Sequence, residues 1–469
     1  MTLASLADAS AAELAAAYVR RETSPLEVAK SVIARIDACE SQIHALYAFD
    51  PEVVLAAASA SEARWLAGVP LSPLDGVPVT IKENVATRGV PVPLGTAATE
   101  LTPAAADAPP AARLREAGCV LLAKTTMPDW GMLSSGLSSF HRLTRNPWDL
   151  SKSPGGSSAG AAAAAAAGYG PLHLGTDIGG SIRLPAGWCG VVGFKPSLGR
   201  VPIHPPYAGR VAGPITRCVD DTARMMAVLA QPDDRDTMSL PAQELDWLAT
   251  DPGHARGRRI GLWLDAGWGL PVEPAIRDAV AACARALEQA GAAVEPVAPF
   301  CSREMADGLD RFWRMRSWLD LQALPVERRA KVLPYLRDWV APATDYTGAQ
   351  VFHGYSQMGA LRDAAVAATR GFDALLSPVS PVATFAADWA SPLNDPQRPF
   401  EHIAFTLPFN MSEQPAIAVP WSFTAAGLPI GVQIAGRRHD DVGVLRLARL
   451  VERLRPAPRP WPDVAGRPQ

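Results

Sequence analysis

A run of seven alanines directly after a glycine-rich turn most restricts how this chain folds. The turn has the sequence GGSSAG at positions 155–160, and the alanines occupy positions 161–167. Alanine is the best helix former and has a very small side chain, so the run predicts a helix that neighbouring backbone approaches closely. Such a helix belongs deep in a core. Taken alone, Ser157 and Ser158 are explained as caps of this helix, because serine is a leading N-cap residue.

Short apolar segments alternate with helical segments from Gly76 onward, and this predicts an α/β fold. The 37 glycines and 44 prolines disfavour an all-helical bundle. Capping boxes at Ser10–Glu13 and Ser24–Glu27 predict two helices before the first strand. Strands are predicted at 79–82, 120–124, 260–264, 294–297, 374–377, 417–419 and 430–435, and further helices at about 111–117, 273–290 and 440–454.

Neither a repeat nor a low-complexity linker divides the sequence, so one domain over residues 1–469 is expected. Helices within residues 1–60 should pack on its core. The segment at about 300–350 is rich in arginine and tryptophan, including Phe312, Trp313, Arg314, Arg316 and Trp318. It is predicted to be a helical excursion that covers the sheet and shapes a pocket, although a helix face packed on the sheet explains the same residues.

Charge and composition exclude several classes of partner. The net charge of −3 offers no broad electrostatic footprint for nucleic acid or an anionic membrane. No segment has the roughly 20 apolar residues of a membrane span, and the N-terminus lacks the pattern of a secretory signal. The six cysteines show no CxxC spacing and are expected to be reduced and mostly buried. A cytoplasmic protein is predicted.

A second glycine-rich turn, GTDIGGSIR at positions 175–183, has the composition of an oxyanion site. Successive small residues can direct the backbone amides of Ile178, Gly179, Gly180 and Ser181 toward one point, and the Ser181 hydroxyl stands at the end of that row. A nucleophile would then lie beside its own oxyanion hole. The alternative is an ordinary turn in which Asp177 and Arg183 pair.

Lys82 is the candidate base, because no histidine lies in a motif with an acidic partner or with zinc-ligand spacing. Lys82 ends the apolar segment Val79-Thr80-Ile81. Burial there disfavours the ammonium form and would bring the lysine pKa from about 10.4 toward the 7 to 8 that base catalysis needs.

Together these motifs resemble the amidase signature family, which uses a Ser-cisSer-Lys triad. Lys82 and Ser157 are 75 residues apart, and Ser157 and Ser181 are 24 apart, as in that family. The resemblance extends through LDGVP at 74–78, TRNPW at 144–148 and GLPIGVQ at 427–433. Departures are Ala159 in the glycine turn, Glu83 after the lysine, and Pro128 beside the expected pocket.

The resemblance implies a large mixed sheet covered by helices on both faces, and a metal-free, cofactor-free amidohydrolase. Ser181 would attack the amide carbonyl, Ser157 would relay protons across a non-proline cis peptide, and Lys82 would be the base. Ammonia or an amine would leave, and esters are a side activity to expect. Ser158, Asp177 and Arg183 would hold the two glycine turns together, with Met127 and Gly156 at the substrate.

Other functions explain fewer of these residues. A glutaminase subunit of a tRNA-dependent amidotransferase belongs to the same family, but its tyrosine-rich region is not found in residues 300–370. A small-molecule kinase would use the GGSSAG turn to cradle phosphate, which leaves Lys82 and Ser181 unexplained. A catalytically dead binding protein and a Cys189 nucleophile are also weaker. The expected partner is a small-molecule amide, and assembly as a homodimer is left open.

Overall fold

The computed structural model describes residues 6–249 and 254–466. Its centre is a mixed sheet of 11 strands with the order β1-β3-β2-β4-β6-β5-β10-β11-β9-β7-β8. The strands are β1 (Leu46–Tyr47), β2 (Pro78–Lys82), β3 (Val120–Thr125), β4 (Leu172–Asp177), β5 (Val192–Lys195), β6 (Val211–Thr216), β7 (Arg259–Leu262), β8 (Ala293–Pro296), β9 (Ala374–Pro378), β10 (Ala416–Phe423) and β11 (Pro429–Gly436).

Helices connect and cover these strands. They are α1 (Ala11–Arg20), α2 (Pro25–Ile43), α3 (Pro51–Ala67), α4 (Pro109–Glu116), α5 (Ala159–Ala167), α6 (Arg183–Cys189), α7 (Val219–Leu229), α8 (Pro274–Gln289), α9 (Arg303–Ala323), α10 (Val326–Arg329), α11 (Pro334–Val340), α12 (Gly348–Thr369), α13 (Leu407–Met411) and α14 (Asp441–Leu454). Within the described residues, no helix has the length and hydropathy that crossing a membrane requires.

The predicted fold class is confirmed, and each predicted strand and helix corresponds to an observed element. Both N-terminal capping boxes are present at α1 and α2. Five helices escaped prediction, namely α3, α6, α7, α12 and α13, and so did the strands β1, β4, β5 and β6. The first of these helices has an even distribution of alanine around its surface, so it offers no apolar stripe to recognise.

Two apolar clusters lie on opposite faces of the sheet. On β10, Ile417 and Val419 belong to one cluster, while Ala416 and Ala418 belong to the other. This alternation follows from the two-residue period of a strand. Helices α1, α2, α7, α8 and α14 contribute to the first cluster, and α6, α9, α11 and α13 to the second.

The alanine helix α5 lies between these clusters and is buried along its whole length. Ala163, Ala164 and Ala167 face one cluster, and Ala161 and Ala162 face the other. At its first turn, a Cβ on Gly160 would lie 2.4 Å from the Ala45 carbonyl oxygen and 2.5 Å from the Thr126 amide nitrogen. The predicted close approach of backbone is therefore present.

The sheet places the candidate residues together at the carboxyl ends of two inner strands. Strand β2 runs parallel to β4, so Lys82 and Asp177 end neighbouring strands on the same side. Helix α5 begins immediately after Ser158 and brings the serine turn to these strand ends.

Gly160→Ala tests this packing. Alanine is the better helix former by about 1 kcal/mol, yet we expect a loss of roughly 1–3 kcal/mol of unfolding free energy, because the added methyl overlaps fixed backbone atoms. Gly359→Ala is the matched control, since Gly359 is at an exposed position of α12 where a Cβ would meet nothing within 4 Å, and it should be neutral or stabilising. Urea unfolding of both variants measures this, and a stabilised Gly160→Ala would contradict the packing.

Candidate active site

Lys82 is fully buried and is surrounded by hydroxyl groups. Its Nζ atom lies 2.7 Å from Ser157 Oγ, 3.1 Å from Ser158 Oγ and 3.0 Å from Thr176 Oγ1. Among the described residues, no carboxylate comes within ion-pair distance of this nitrogen. Three hydroxyls can satisfy an amine, but they do not neutralise an ammonium ion.

Burial lowers the pKa of Lys82 to about 7. The carboxylates of Asp177 and Glu83 oppose this shift from a distance, and the guanidinium of Arg210 adds to it. Removing a charged amine from water without a counterion is costly, so the neutral form is favoured. Near pH 7 and above, a large fraction of Lys82 is therefore able to accept a proton.

The two serines of the glycine turn have different contacts. Ser158 Oγ donates to the Thr176 carbonyl at 3.1 Å and accepts from the Thr176 amide at 3.2 Å, so it ties the turn to β4. Neither Ser157 nor Ser158 makes a side-chain capping bond to α5. The explanation of these serines as simple helix caps is wrong.

The expected cis peptide at Ser157 is not present. Within the described residues, the cis bond lies between His204 and Pro205. Positive φ angles of 78° at Gly155 and 57° at Gly156 turn the chain here, and they bring Ser157 Oγ to Lys82 through a trans bond.

The turn at 177–183 is organised by the Asp177 carboxylate. It accepts from the amides of Gly180 at 2.8 Å and Ile182 at 3.1 Å. In the described structure, the amides of Ile178, Gly179 and Ser181 donate to no other protein group. Three of the four predicted oxyanion donors are therefore free, whereas the Gly180 amide is already bonded.

Asp177 and Arg183 form a buried ion pair, with 2.9 Å between Oδ1 and Nη2. Burial alone would raise the pKa of Asp177, but Arg183 and Asn410 hold it well below its usual range. Arg183 also donates to the Thr406 carbonyl, to Gln433 Oε1 and to Asn410 Oδ1 at 2.8, 2.8 and 2.6 Å. The pairing considered for an ordinary turn is thus present, and it anchors the turn to the C-terminal half.

The hydroxyls of Ser181 and Ser157 form no hydrogen bond with each other in the described structure, but their turns are joined. The Ser158 amide donates to the Ser181 carbonyl at 3.2 Å, which joins the two turns. Ser181 keeps 9% of its surface exposed and Ser157 keeps 5%, so both can meet a small molecule. Catalytic hydrogen bonds are often long or incomplete before substrate binds.

The walls beside the serines come from two parts of the chain. A Cβ on Gly131 would lie 3.0 Å from Met127 Cε and 3.4 Å from Ser157 Oγ, which places the Met127 side chain close to Ser157. A Cβ on Gly179 would lie 3.4 Å from the Trp313 ring of α9. Gly156 is pressed against Pro185, because a Cβ on this glycine would lie 2.3 Å from the proline Cδ.

Sequence reasoning missed several residues of the site. Thr176 contacts Lys82 directly and also accepts from Asn84 Nδ2 at 3.1 Å. Asn410 lies far along the chain, and no local motif marks it. His141 Nε2 lies 2.5 Å from Glu83 Oε2, a histidine–carboxylate pair that appears only when the chain folds.

Competing chemistries fit these residues less well. Burial raises the pKa of the Cys189 thiol, which keeps it protonated and poorly nucleophilic. Ser134 Oγ lies 2.6 Å from His402 Nε2, but in the described residues no carboxylate orients the other ring nitrogen. Residues 6–249 and 254–466 contain no group of three His, Cys, Asp or Glu side chains placed to hold a metal.

Lys82 is buried and hydrogen-bonded to Ser157. Hydrolases that use lysine in place of histidine have such a lysine–serine pair. The profile of the family described as Amidase matches residues 27–445. The chain belongs to this amidase family. The expected class, a hydrolase of carbon–nitrogen bonds, is confirmed.

Individual relatives cover nearly the whole chain. An acylamidase of Rhodococcus erythropolis is 35% identical over 465 residues, which cover 97% of this chain and 96% of that protein. A Glutamyl-tRNA(Gln) amidotransferase subunit of Myxococcus xanthus is 35% identical over 484 residues, covering 96% and 97%. The crystal structure of a bacterial aryl acylamidase of the amidase signature family matches with a TM-score of 0.90 at 31% identity, covering 98% and 99%.

The depressed pKa of Lys82 has a consequence for stability. Between about pH 7 and pH 10.4 the unfolded chain binds the proton that folded Lys82 lacks, so this group adds unfolding free energy as pH rises. Lys82→Met removes a contribution of at most about 1.4 kcal/mol per pH unit. The variant should therefore gain most over wild type near pH 6.5 and lose that advantage by pH 9.5.

Urea unfolding at three pH values measures the difference between wild type and variant, in which other titrating groups cancel. Lys30→Met, at an exposed position of α2, is the control and should give the same difference at each pH. A Lys82→Met difference that does not vary with pH would contradict a neutral buried amine.

Proposed function

We propose that this protein hydrolyses small carboxylic amides through an acyl-serine intermediate on Ser181. The observation that carries the proposal is the bond of 2.7 Å between Lys82 Nζ and Ser157 Oγ, in a buried site where the lysine pKa is about 7. A neutral amine, a relaying hydroxyl and a second serine beside free backbone amides supply the groups that acyl transfer needs.

In the first half-reaction, Ser181 Oγ forms a bond to the amide carbonyl carbon. Its proton passes to Ser157 Oγ while Ser157 gives its own proton to Lys82 Nζ. The tetrahedral intermediate then breaks its carbon–nitrogen bond, and the proton returns along the same path to the leaving nitrogen. Ammonia or an amine departs, and the acyl group remains as an ester of Ser181.

In the second half-reaction, water attacks this ester with the same relay as base. The carboxylic acid is released, and the Ser181 hydroxyl is restored. Because the lysine ends each half-reaction neutral, the site needs no net proton exchange with solvent during acylation.

The oxyanion of each tetrahedral intermediate would be held by the amides of Ile178, Gly179 and Ser181. Gly180 contributes shape instead, because its own amide bonds Asp177 and its φ of 130° bends the turn. Fixed amides that point at developing charge are worth several kcal/mol in a site of this kind. Trp313 of the 300–350 segment packs on Gly179 and would form the wall above this hole.

Glutamine hydrolysis for an amidotransferase is the second candidate, supported by several relatives named as subunits of Glutamyl-tRNA(Gln) amidotransferase, with identities of 32–35%. L-glutamine and a panel of acyl and aryl amides should be compared for ammonia or amine release by the isolated chain. A kcat/KM for glutamine far above that for every other amide would favour the glutaminase function.

Three further predictions accompany the function. The chain would form one domain, with helices α1 to α3 packed on the sheet core through residues such as Leu14 and Val32. A cytoplasmic location is supported by six unpaired cysteines, a pattern typical of reducing compartments. A homodimer is the assembly to look for first.

Ser181→Ala should abolish amide turnover and labelling by a serine-directed fluorophosphonate, because the nucleophilic oxygen is lost. The fold should persist, since this hydroxyl makes no packing-critical bond among the described residues. Ser72→Ala is the control, a serine bonded to the Ala117 carbonyl at the opposite end of β2, and it should keep both properties. A folded Ser181→Ala variant that still turns over amides would overturn the assignment.

Lys82→Ala should reduce kcat/KM for amides more than for matched esters. An amine leaving group needs the returned proton, whereas an alkoxide needs it less. In wild type, kcat/KM should rise through about pH 7 as Lys82 becomes neutral, and the variant should lose this limb. Equal losses for both substrates, with the pH profile retained, would mean that another group is the base.

A further inference from the structure

Two guanidinium groups approach each other beside the oxyanion turn. The register of β4 and β6 pairs Asp177 with Val211, so Arg210 comes next to Ile178. Arg316 reaches the same place from α9, three residues after Trp313. Both arginines lie against one ring, 5.7 Å and 5.3 Å from the centre of Tyr207.

Neither guanidinium has an acidic partner. Arg210 donates to the Pro205 carbonyl. Arg316 Nη2 lies 2.9 Å from Met132 Sδ, a weak acceptor, and 3.5 Å from Ser317 Oγ. Across the described residues, no carboxylate comes within 4.0 Å of either group, although Asp236 acts on Arg210 and Asp320 on Arg316 from farther away.

Buried polar atoms beside this pair lack partners. Arg316 Nε and the Tyr207 hydroxyl are both buried without a hydrogen bond. The contrast with Arg314 on the same helix is sharp, because that side chain bonds Asp310, the Trp339 carbonyl and the Pro396 carbonyl. Buried donors normally find an acceptor, so an acceptor from outside the chain fits here.

The electrostatics favour an anion at this place. Burial lowers the pKa of Arg210, and the nearby charge of Arg316 lowers it further. Arg210 also disfavours the protonated form of Lys82, which shows that its field reaches the candidate active site. An anionic group between the guanidiniums would relieve their repulsion and bond their free N–H groups.

We propose that Arg210 and Arg316, with the Tyr207 hydroxyl, form a subsite for a carboxylate carried by the substrate. The preferred substrates are then amides with a second, ionised carboxyl group, either on the acyl side or on the amine side. A planar guanidinium matches a carboxylate in a two-point bond, which a lysine would not provide. This inference rests on the proposed amidase function and names its substrate class.

Two pairs of matched substrates show whether the carboxylate is recognised on the acyl side or on the amine side of the scissile bond. On the acyl side, succinamate is compared with 4-oxopentanamide, in which acetyl replaces the carboxylate. On the amine side, 4-acetamidobenzoate is compared with 4-acetamidoacetophenone. We expect kcat/KM to favour the charged member of one pair by about tenfold or more, as charge-assisted hydrogen bonds predict.

Arginine variants test which groups cause the preference. Arg316→Gln should lower kcat/KM for the charged substrate by roughly 10- to 100-fold, and much less for its neutral partner. Arg210→Gln should lower the ratio of the two kcat/KM values to a similar extent, because its effect on the Lys82 pKa acts on both substrates. Arg316→Lys should restore part of the loss through charge alone. Arg311→Gln, on the same helix and beside Tyr346, is the control and should retain the full preference.

Binding gives a readout that does not depend on turnover. Ser181→Ala should bind the preferred carboxylate substrate in calorimetry, and the added Arg316→Gln change should weaken that binding at least tenfold. Hydrolysis of neutral amides without any preference for the charged members would overturn the carboxylate subsite and leave the amidase function standing. Carboxylate binding without hydrolysis of any amide would support the subsite and overturn the proposed reaction.

Discussion

The buried ion pair between Asp177 and Arg183 holds the candidate site together. One carboxylate gathers the amides of Gly180 and Ile182, and one guanidinium bonds Thr406, Asn410 and Gln433 more than 200 positions away. Removing either partner of such a pair leaves an uncompensated charge in the core, at a cost of about 3–5 kcal/mol. The shape of the turn at 177–183 therefore depends on the packing of β11 and α13.

Lys82, in contrast, is a buried ionisable group with no ion-pair partner among the described residues. Its neighbours are hydroxyls of Ser157, Ser158 and Thr176, which can donate to a neutral amine or accept from it. A carboxylate at the same distance would have stabilised the ammonium form and kept Lys82 protonated near pH 7. Asp177 lies near enough to act on Lys82 electrostatically, but its carboxylate forms an ion pair with Arg183, whose positive charge offsets that effect.

Much of this structure could be predicted from patterns of residues that are close together in the sequence. Capping serines, the alanine run and apolar strand segments each depend on neighbours within a few residues, so α1, α5 and β2 were predictable. Ser157 and Ser181 were predictable because each lies in a contiguous glycine-rich turn, and Lys82 was predictable because it ends an apolar segment. Asn410 and the Arg210–Arg316 approach depend on contacts between distant segments, which no local pattern specifies.

The contact between Trp313 and Gly179 joins two segments of the chain that protein engineering can treat separately. The proposed reacting groups lie within residues 82–183, whereas α9 and the turn before β6 lie beside them and would form part of the substrate surface. Exchange of the α9 segment between family members would therefore be a route to new selectivity that keeps the sequence of the proposed acyl-transfer residues unchanged. Because Trp313 packs against Gly179, each exchange that replaces Trp313 would also change the packing of the turn at 177–183 and, with it, the reactivity of Ser181.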